Sequence, residues 1–404
     1  MKKHLNELAI FGGVPTFPEK LHVGRPNIGS KQVLLQRIND ILDSKWLTNN
    51  GQFVQAFEQH ITSLVGVKHC IATCNATTGL EIAIRACELT GEVIIPSFTF
   101  VATAHALKWV GIEPVFCDVD PDTHNIDPRK IESLITDKTT AIIGVHLWGR
   151  GCDVEALEDI ARRYNLKLLF DAAHAFGCSH QQKMIGNFGD VEVFSFNATK
   201  FCNSFEGGAI VTNNSEFADK IRYMKNFGFS NYDCVDFIGT NGKMSEVSAA
   251  MGLTSLESIE DFINTNRENY HQYLQELSNI PGVNLISYDE AEKCNYQYVI
   301  VEIDESIAGI NRDKVYQILW AENVLARRYF YPGCHQMEPY RSRIADMGLM
   351  LTNTRHLAAR VLALPTGTAI GAKEISNICQ IIRLATTGGN LTNEMLYQNV
   401  LRAS

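Results

Sequence analysis

Lys200 stands five residues beyond the apolar run that ends at Ser195, within DVEVFSFNATKFCNSFEGGAIVT (190–212), and a glycine pair at 207 and 208 follows it. A lysine amine becomes a reagent when it sheds its proton, and a cofactor aldehyde captures such an amine as a Schiff base. Upstream, LKLLFDAAHAFG (166–177) carries Asp171 at the end of a second apolar run. A carboxylate at the carboxyl end of a buried parallel strand points into the crevice where α/β sheets bind ligands. It is costly there unless a positive charge matches it, and the protonated ring nitrogen of pyridoxal is such a charge. In CIATCNATTGLEIAIRA (70–86), Asn75, Ala76, Thr77 and Thr78 stand at the mouth of an amphipathic helix. Small residues at a helix N-terminus leave backbone N–H groups free for a phosphate, and Ser195 could add a hydroxyl. In PSFTFVATA (96–104), Phe100 could lie flat against a planar ring while Phe98 packs inward. Taken singly, each has an ordinary reading: a surface lysine, an N-cap aspartate, a threonine-capped helix, a core phenylalanine. Their order and spacing together point to pyridoxal 5'-phosphate.

Such groups need a sheet to hold them. From residue 68 to 211, short β-branched runs alternate with amphipathic helical stretches, as strand, crossover helix and strand require. Strands are predicted at 69–73, 93–95, 112–117, 141–145, 166–170, 191–195 and 209–211. Helices are predicted at 79–89 and at 155–164, where Ala156, Leu157, Ile160, Ala161 and Tyr164 share a face. The pattern dissolves over 229–242, then resumes as helical segments at 244–263 and 266–277, strands near 283–287 and 296–303, and helices at 312–322 and 372–385. This gives an N-terminal arm (1–30), a large α/β cofactor-binding domain (31–265) and a small C-terminal α+β domain (266–404).

Composition narrows the class. The chain has 404 residues, 45% hydrophobic and 20% charged, and is long enough for two cores. Its net charge of -9 is dispersed and no Lys/Arg cluster forms, which argues against a nucleic-acid partner. Eleven cysteines, an odd number with no CxxC pair, argue against zinc or a disulfide framework and for a reducing, cytoplasmic compartment. Neither a signal-peptide pattern nor a membrane-length apolar run is present, so no membrane association is expected.

In this order, the four segments resemble the DegT/DnrJ/EryC1/StrS sugar aminotransferases, and the similarity runs from LTNNGQFVQAFEQHI (47–61) to the C-terminal helices. The resemblance implies fold-type I architecture, with a mostly parallel seven-stranded sheet in the large domain. It makes Lys200 the Schiff-base lysine, Asp171 the partner of the pyridine nitrogen, and Ala76, Thr77 and Ser195 the phosphate ligands. Phe100 would stack on the ring, and His174 would stand beside it. GTNGKMSEVSAAMGL (239–253) resembles a family stretch whose asparagine, here Asn241, reaches the neighbouring subunit's cofactor phosphate, which implies a homodimer with shared active sites. FSFNATK (194–200) is nearest the form found in aminotransferases acting at C-4, although Asn197 stands where histidine is usual. The implied reaction moves an amino group from L-glutamate to C-4 of a nucleotide-linked 4-keto-6-deoxyhexose, dTDP-4-keto-6-deoxyglucose, with a GDP-linked sugar as the alternative. Trp46, Thr48, Arg327, Tyr329 and His335 are candidate contacts to the sugar nucleotide. A related dehydratase would replace Lys200 with histidine, and a non-catalytic sensor would need a further module.

Overall fold

In the computed structural model, which describes residues 1–343 and 351–403, seven apolar runs form one sheet. Its strands are β1 (His69–Thr73), β2 (Glu92–Pro96), β3 (Glu113–Cys117), β4 (Thr139–Val145), β5 (Lys167–Asp171), β6 (Val191–Ser195) and β7 (Gly208–Thr212). They lie in the order β1-β7-β6-β5-β4-β2-β3. Every strand runs the same way except β7, which is antiparallel to both neighbours. Helices cover both faces, which explains why the strands read as continuous apolar runs rather than alternating ones. On one face Ile71, Ile95, Ile143, Val193 and Ile210 pack with α2 (Ala76–Ala86), α3 (Ala102–Trp109) and α5 (Ser215–Met224). On the other, Ala72, Ile94, Ile142, Phe170 and Ala209 pack with α1 (Gln52–Val65), α4 (Val154–Tyr164) and α6 (Glu246–Glu257). All seven strands stand where the sequence predicts them, within one or two residues. One shift matters: β5 ends on Asp171 itself, so the strand's pairing with Val145 and Val193 fixes that residue.

The helical segments predicted at 244–263 and 266–277 divide elsewhere. Ser245 accepts from the Ser248 N–H and starts α6 at Glu246. The break comes at Ser258, after which α7 (Ile259–Leu277) runs without interruption past residues 265 and 266. Beyond α7, an antiparallel sheet of β8 (Val283–Leu285), β9 (Val299–Ile303) and β10 (Val361–Leu364) packs on α7, α8 (Arg312–Ala321) and α9 (Ala372–Thr387) through Tyr273, Val301, Ile318, Leu362 and Ile378. The N-terminal arm lies on this part. Leu8, Phe17 and Leu21 enter its core, and the fully buried Glu322 accepts hydrogen bonds from Lys2 Nζ and the Ala9 and Thr16 N–H groups, each at 2.6 Å.

A second buried carboxylate joins distant segments of the large sheet's surroundings. The helix α1 starts after Gly51, which has no side chain to cap it. Glu246, 1% exposed, supplies the cap from α6 by accepting from the N–H groups of Phe53 (2.8 Å) and Val54 (3.4 Å). Those are N2 and N3 donors, where an anion also meets the positive end of the helix. The Glu246 N–H donates to Leu47 O, so the same residue holds the segment 46–50. Glu246→Ala is expected to lower stability by about 2 kcal/mol, because buried donors lose a charged acceptor. Urea unfolding of the variant measures this, and a midpoint equal to that of the wild type would refute the capping role.

Candidate active site

Register brings the sequence-predicted residues to one edge of the sheet. Gly208 at the start of β7 pairs with Thr73 at the end of β1 and with Ser195 at the end of β6. One strand further, Asp171 ends β5 beside Val193. The carboxyl ends of β1, β5 and β6 therefore open on a common edge, and the turn carrying Lys200 leaves from the last of them.

Asp171 is 6% exposed, and both of its oxygens are held: Oδ2 by Thr103 Oγ1 at 2.8 Å and Oδ1 by the Ala173 N–H at 3.1 Å. Burial pushes its carboxyl above the usual value, against the pull of Thr103, Ala173 and Lys200. Lys200 shows the converse: burial lowers its ammonium to about 8, opposed by the Asp171 charge. Each group thus favours the other's charged form, while the low-dielectric surroundings favour neutrality in both. A lysine shifted this far gives a substantial neutral fraction near physiological pH, as amine chemistry requires.

Ala76 and Thr77 open α2, where the first N–H groups have no intrahelical acceptor. Asn75 caps the helix through the Thr78 N–H at 2.8 Å, leaving the donors of 76 and 77 at the mouth. The strand β7 crosses directly beneath. A Cβ at Gly208 would come 2.7 Å from the backbone nitrogen of Ala76, so glycine alone permits this approach. With Ser195 one strand away, the donors are arranged for a phosphate group.

The remaining residues fall into two sets. Phe98 is buried against Trp148 and Phe330, while Phe100 is 53% exposed at the rim. His174 is buried, its Nδ1 accepts from the Trp148 N–H at 3.2 Å, and its ring stacks on Phe330 at 5.6 Å. Burial, reinforced by the nearby Lys200 charge, holds His174 well below its ordinary value, so the imidazole is neutral with its proton on Nε2. Phe100, Arg327 and Tyr329 share a cavity of about 260 Å³ with Phe330 and Tyr331. The two adjacent arginines differ there. Arg328 is paired with Asp313 (2.9 Å) and lies over the rings of Tyr316 and Tyr331, whereas Arg327 meets only the Tyr329 ring and has no carboxylate partner among the described residues. His335 is buried behind Ser97, whose hydroxyl lies 2.7 Å from Nδ1. Trp46, Thr48 and Asn241 are exposed and make no hydrogen bond or ring contact with the site among the described residues. Asn241 accepts from Lys243 Nζ, in a segment bridged to the end of β1.

Residues 30–383 match the model of the DegT/DnrJ/EryC1/StrS aminotransferase family. The chain belongs to this family. One relative is the dTDP-4-amino-4,6-dideoxy-D-glucose transaminase of Shigella dysenteriae, 38% identical over 365 residues, which are 90% of this chain and 98% of the relative. The GDP-perosamine synthase of Escherichia coli O157:H7 is 31% identical over 364 residues, 89% of this chain and 97% of the relative. Among solved structures, DesI in the presence of its TDP-sugar product is 49% identical, covers 96% of this chain and 99% of its own, and superposes with a TM-score of 0.93.

For this aminotransferase, sequence reasoning misses two neighbours of the central pair: Thr103, which holds Asp171, and Tyr298, whose hydroxyl lies 3.2 Å from Lys200 Nζ. Thr103 lies in the first turn of α3, four residues past Thr99 in the preceding loop, and the spacing alone does not reveal its partner. Tyr298 stands just before β9, in the other part of the chain. Amine-directed labelling of the cofactor-free protein, read at Lys200 by mass spectrometry, is expected to rise with pH through a midpoint of about 8. In Asp171→Asn the midpoint is expected to fall, since the lost carboxylate was favouring the ammonium. A midpoint near that of an exposed lysine would contradict the burial of Lys200.

Proposed function

We infer that the enzyme transfers the amino group of L-glutamate to C-4 of dTDP-4-keto-6-deoxyglucose, giving dTDP-4-amino-4,6-dideoxyglucose, with pyridoxal 5'-phosphate as its cofactor. The observation that carries this reading is the 49% identity, over 96% of the chain, to DesI with its TDP-sugar product. The dTDP-linked substrate is favoured over a GDP-linked one because the transaminase relative is 38% identical and the GDP-perosamine synthase 31%.

The chain's own groups fit the cofactor. A buried carboxylate needs a cation, Lys200 has a lowered ammonium, and the mouth of α2 offers unpaired N–H donors. Bound there, pyridoxal phosphate supplies an aldehyde that captures amines and a protonated ring that draws electrons from the adjacent carbon. Asp171, aligned by Thr103 and Ala173, holds the proton on the ring nitrogen. Ala76, Thr77 and Ser195 bind the phosphate through N–H and hydroxyl donors. Phe100 and His174 confine the ring, His174 as a neutral donor through Nε2. Lys200 carries the cofactor at rest, and its freed amine moves the proton at the α-carbon of the donor. Arg327 and Tyr329 are proposed to receive the anionic end of the sugar nucleotide, with His335 behind them.

A homodimer completes this reading. Trp46, Leu47, Phe227, Phe229 and Ile238 are large exposed apolar residues around the 46–50 and 239–243 segments, an apolar surface that suits a second copy. Asn241 would then reach the partner's phosphate seat, and Trp46 and Thr48 the partner's substrate. No helix among the described residues is long and apolar enough to cross a membrane. The eleven free cysteines accord with a reducing, cytoplasmic compartment.

Incubation with pyridoxal phosphate, L-glutamate and dTDP-4-keto-6-deoxyglucose should yield a C-4 amine by mass spectrometry and proton NMR. A GDP-linked 4-keto sugar should react at least about tenfold more slowly, since its base is larger. Faster turnover of the GDP sugar would reverse the nucleotide assignment. Lys200→Ala is expected to lose at least ~100-fold in kcat together with the visible absorbance of the bound cofactor. Full retention of that absorbance would remove Lys200 from the role.

A further inference from the structure

The assigned roles leave one close neighbour of Lys200 without a task. Tyr298 is 8% exposed and immediately precedes β9, and its hydroxyl lies 3.2 Å from Lys200 Nζ, with Nζ 5.8 Å from the ring centroid. The ring cannot swing away, because it packs against His174 at 4.7 Å and Tyr329 at 6.5 Å. Its backbone is also fixed, since Tyr288 donates its hydroxyl to Tyr298 O at 2.7 Å and to Trp148 O at 3.1 Å. A second clamp lies one residue along on both sides: the Phe201 N–H donates to Gln297 Oε1 at 3.0 Å. Residues 200 and 201 are thus tied to residues 298 and 297, side chain to side chain and backbone to side chain.

We propose that Tyr298 is a positioning residue for Lys200, whose phenol holds the freed amine in one place and orientation for proton transfer. The proposal rests on the functional reading above. Lysine carries its nitrogen on a flexible four-carbon stem, and a free amine on such a stem loses the benefit of orientation unless something fixes it. The phenol can do so in either state of the amine, accepting from an ammonium or donating to the neutral lone pair. Burial, with Tyr329 second, pushes the Tyr298 hydroxyl far above its ordinary value, so it stays a phenol and does not itself take the proton. The other titratable groups facing Lys200 are Asp171 and His174; the first is committed to Thr103 and Ala173, the second to the Trp148 N–H. In the transfer, the α C–H bond of the donor breaks, its proton passes to Nζ, and its electron pair passes to the bound pyridoxal phosphate. Nζ would then deliver that proton to the cofactor carbon bonded to the donor's nitrogen, and Tyr298 gains and loses none.

The test is a single-turnover reaction of the holoenzyme with L-glutamate and with α-deuterated L-glutamate, for the wild type, Tyr298→Phe and Tyr298→His. Phenylalanine keeps the ring and removes the hydrogen bond, while histidine keeps both a ring and a polar atom. The expected result is a rate about tenfold lower in Tyr298→Phe, a KM for glutamate within about twofold of the wild type, and a larger deuterium isotope effect. Tyr298→His should lie between the two. An isotope effect identical in all three proteins would overturn the proposal, as would a loss in Tyr298→Phe explained entirely by a lower melting temperature or a raised KM. If Tyr298→Phe does not fold, an unchanged isotope effect in Tyr298→His against the wild type overturns it equally. Wild-type enzyme that turns over with no role for Lys200, or not at all, would instead overturn the functional reading and this inference with it.

Discussion

A carboxylate buried at the end of a parallel strand sets the terms for the rest of this molecule. Asp171 cannot remain charged there without a cation, and the surrounding structure supplies both the place for one and the dipoles that aim the carboxylate at it. The strand ladder fixes its backbone, Thr103 and the Ala173 N–H fix its oxygens, and Lys200 supplies charge of the opposite sign. The same burial that makes the aspartate expensive lowers the lysine toward neutrality. One desolvated pocket therefore holds a carboxylate that calls for a cation and an amine drawn toward neutrality.

The single antiparallel strand explains how the remaining parts converge. Because β7 runs against its neighbours, its first residue, Gly208, lies in the same row as the last residues of β1 and β6. The glycine pair after Lys200 is thus more than a turn signal. It returns the chain beneath the helix mouth, at a distance that admits no side chain. The mouth of α2, the hydroxyl of Ser195 and the lysine turn meet along this row although well over a hundred residues separate the first from the last.

Much of this was legible in the sequence because buried parallel strands write themselves as uninterrupted apolar runs, and their carboxyl ends mark where polar residues have work. Lys200, Asp171, Ser195 and the 75–78 turn all stand at such ends. Phe98 and Phe100 lie in the loop beyond β2, the first buried against Trp148 and Phe330 and the second at the rim. What escaped was whatever depends on contacts between distant segments. Thr103 and Tyr298 are unremarkable in their own surroundings, and only folding brings them to Asp171 and Lys200. The joint at Ser258 escaped because apolar periodicity continues across it, and the capping role of Glu246 because its helix partner lies almost two hundred residues earlier. Trp46, Thr48 and Asn241 are surface residues here, and nothing in their local sequence sets them apart from other exposed positions.

The adjacent arginines of the 260 Å³ cavity divide their labour, and this bears on how such an enzyme could diversify. Arg328 is part of the scaffold, locked between two tyrosines and an aspartate, and replacing it would disturb the wall of the cavity. Arg327 projects from the same backbone over the Tyr329 ring, with no carboxylate partner among the described residues. A change confined to residue 327 would therefore alter what faces the cavity, while its neighbour keeps the wall in shape and the edge of the large sheet stays untouched.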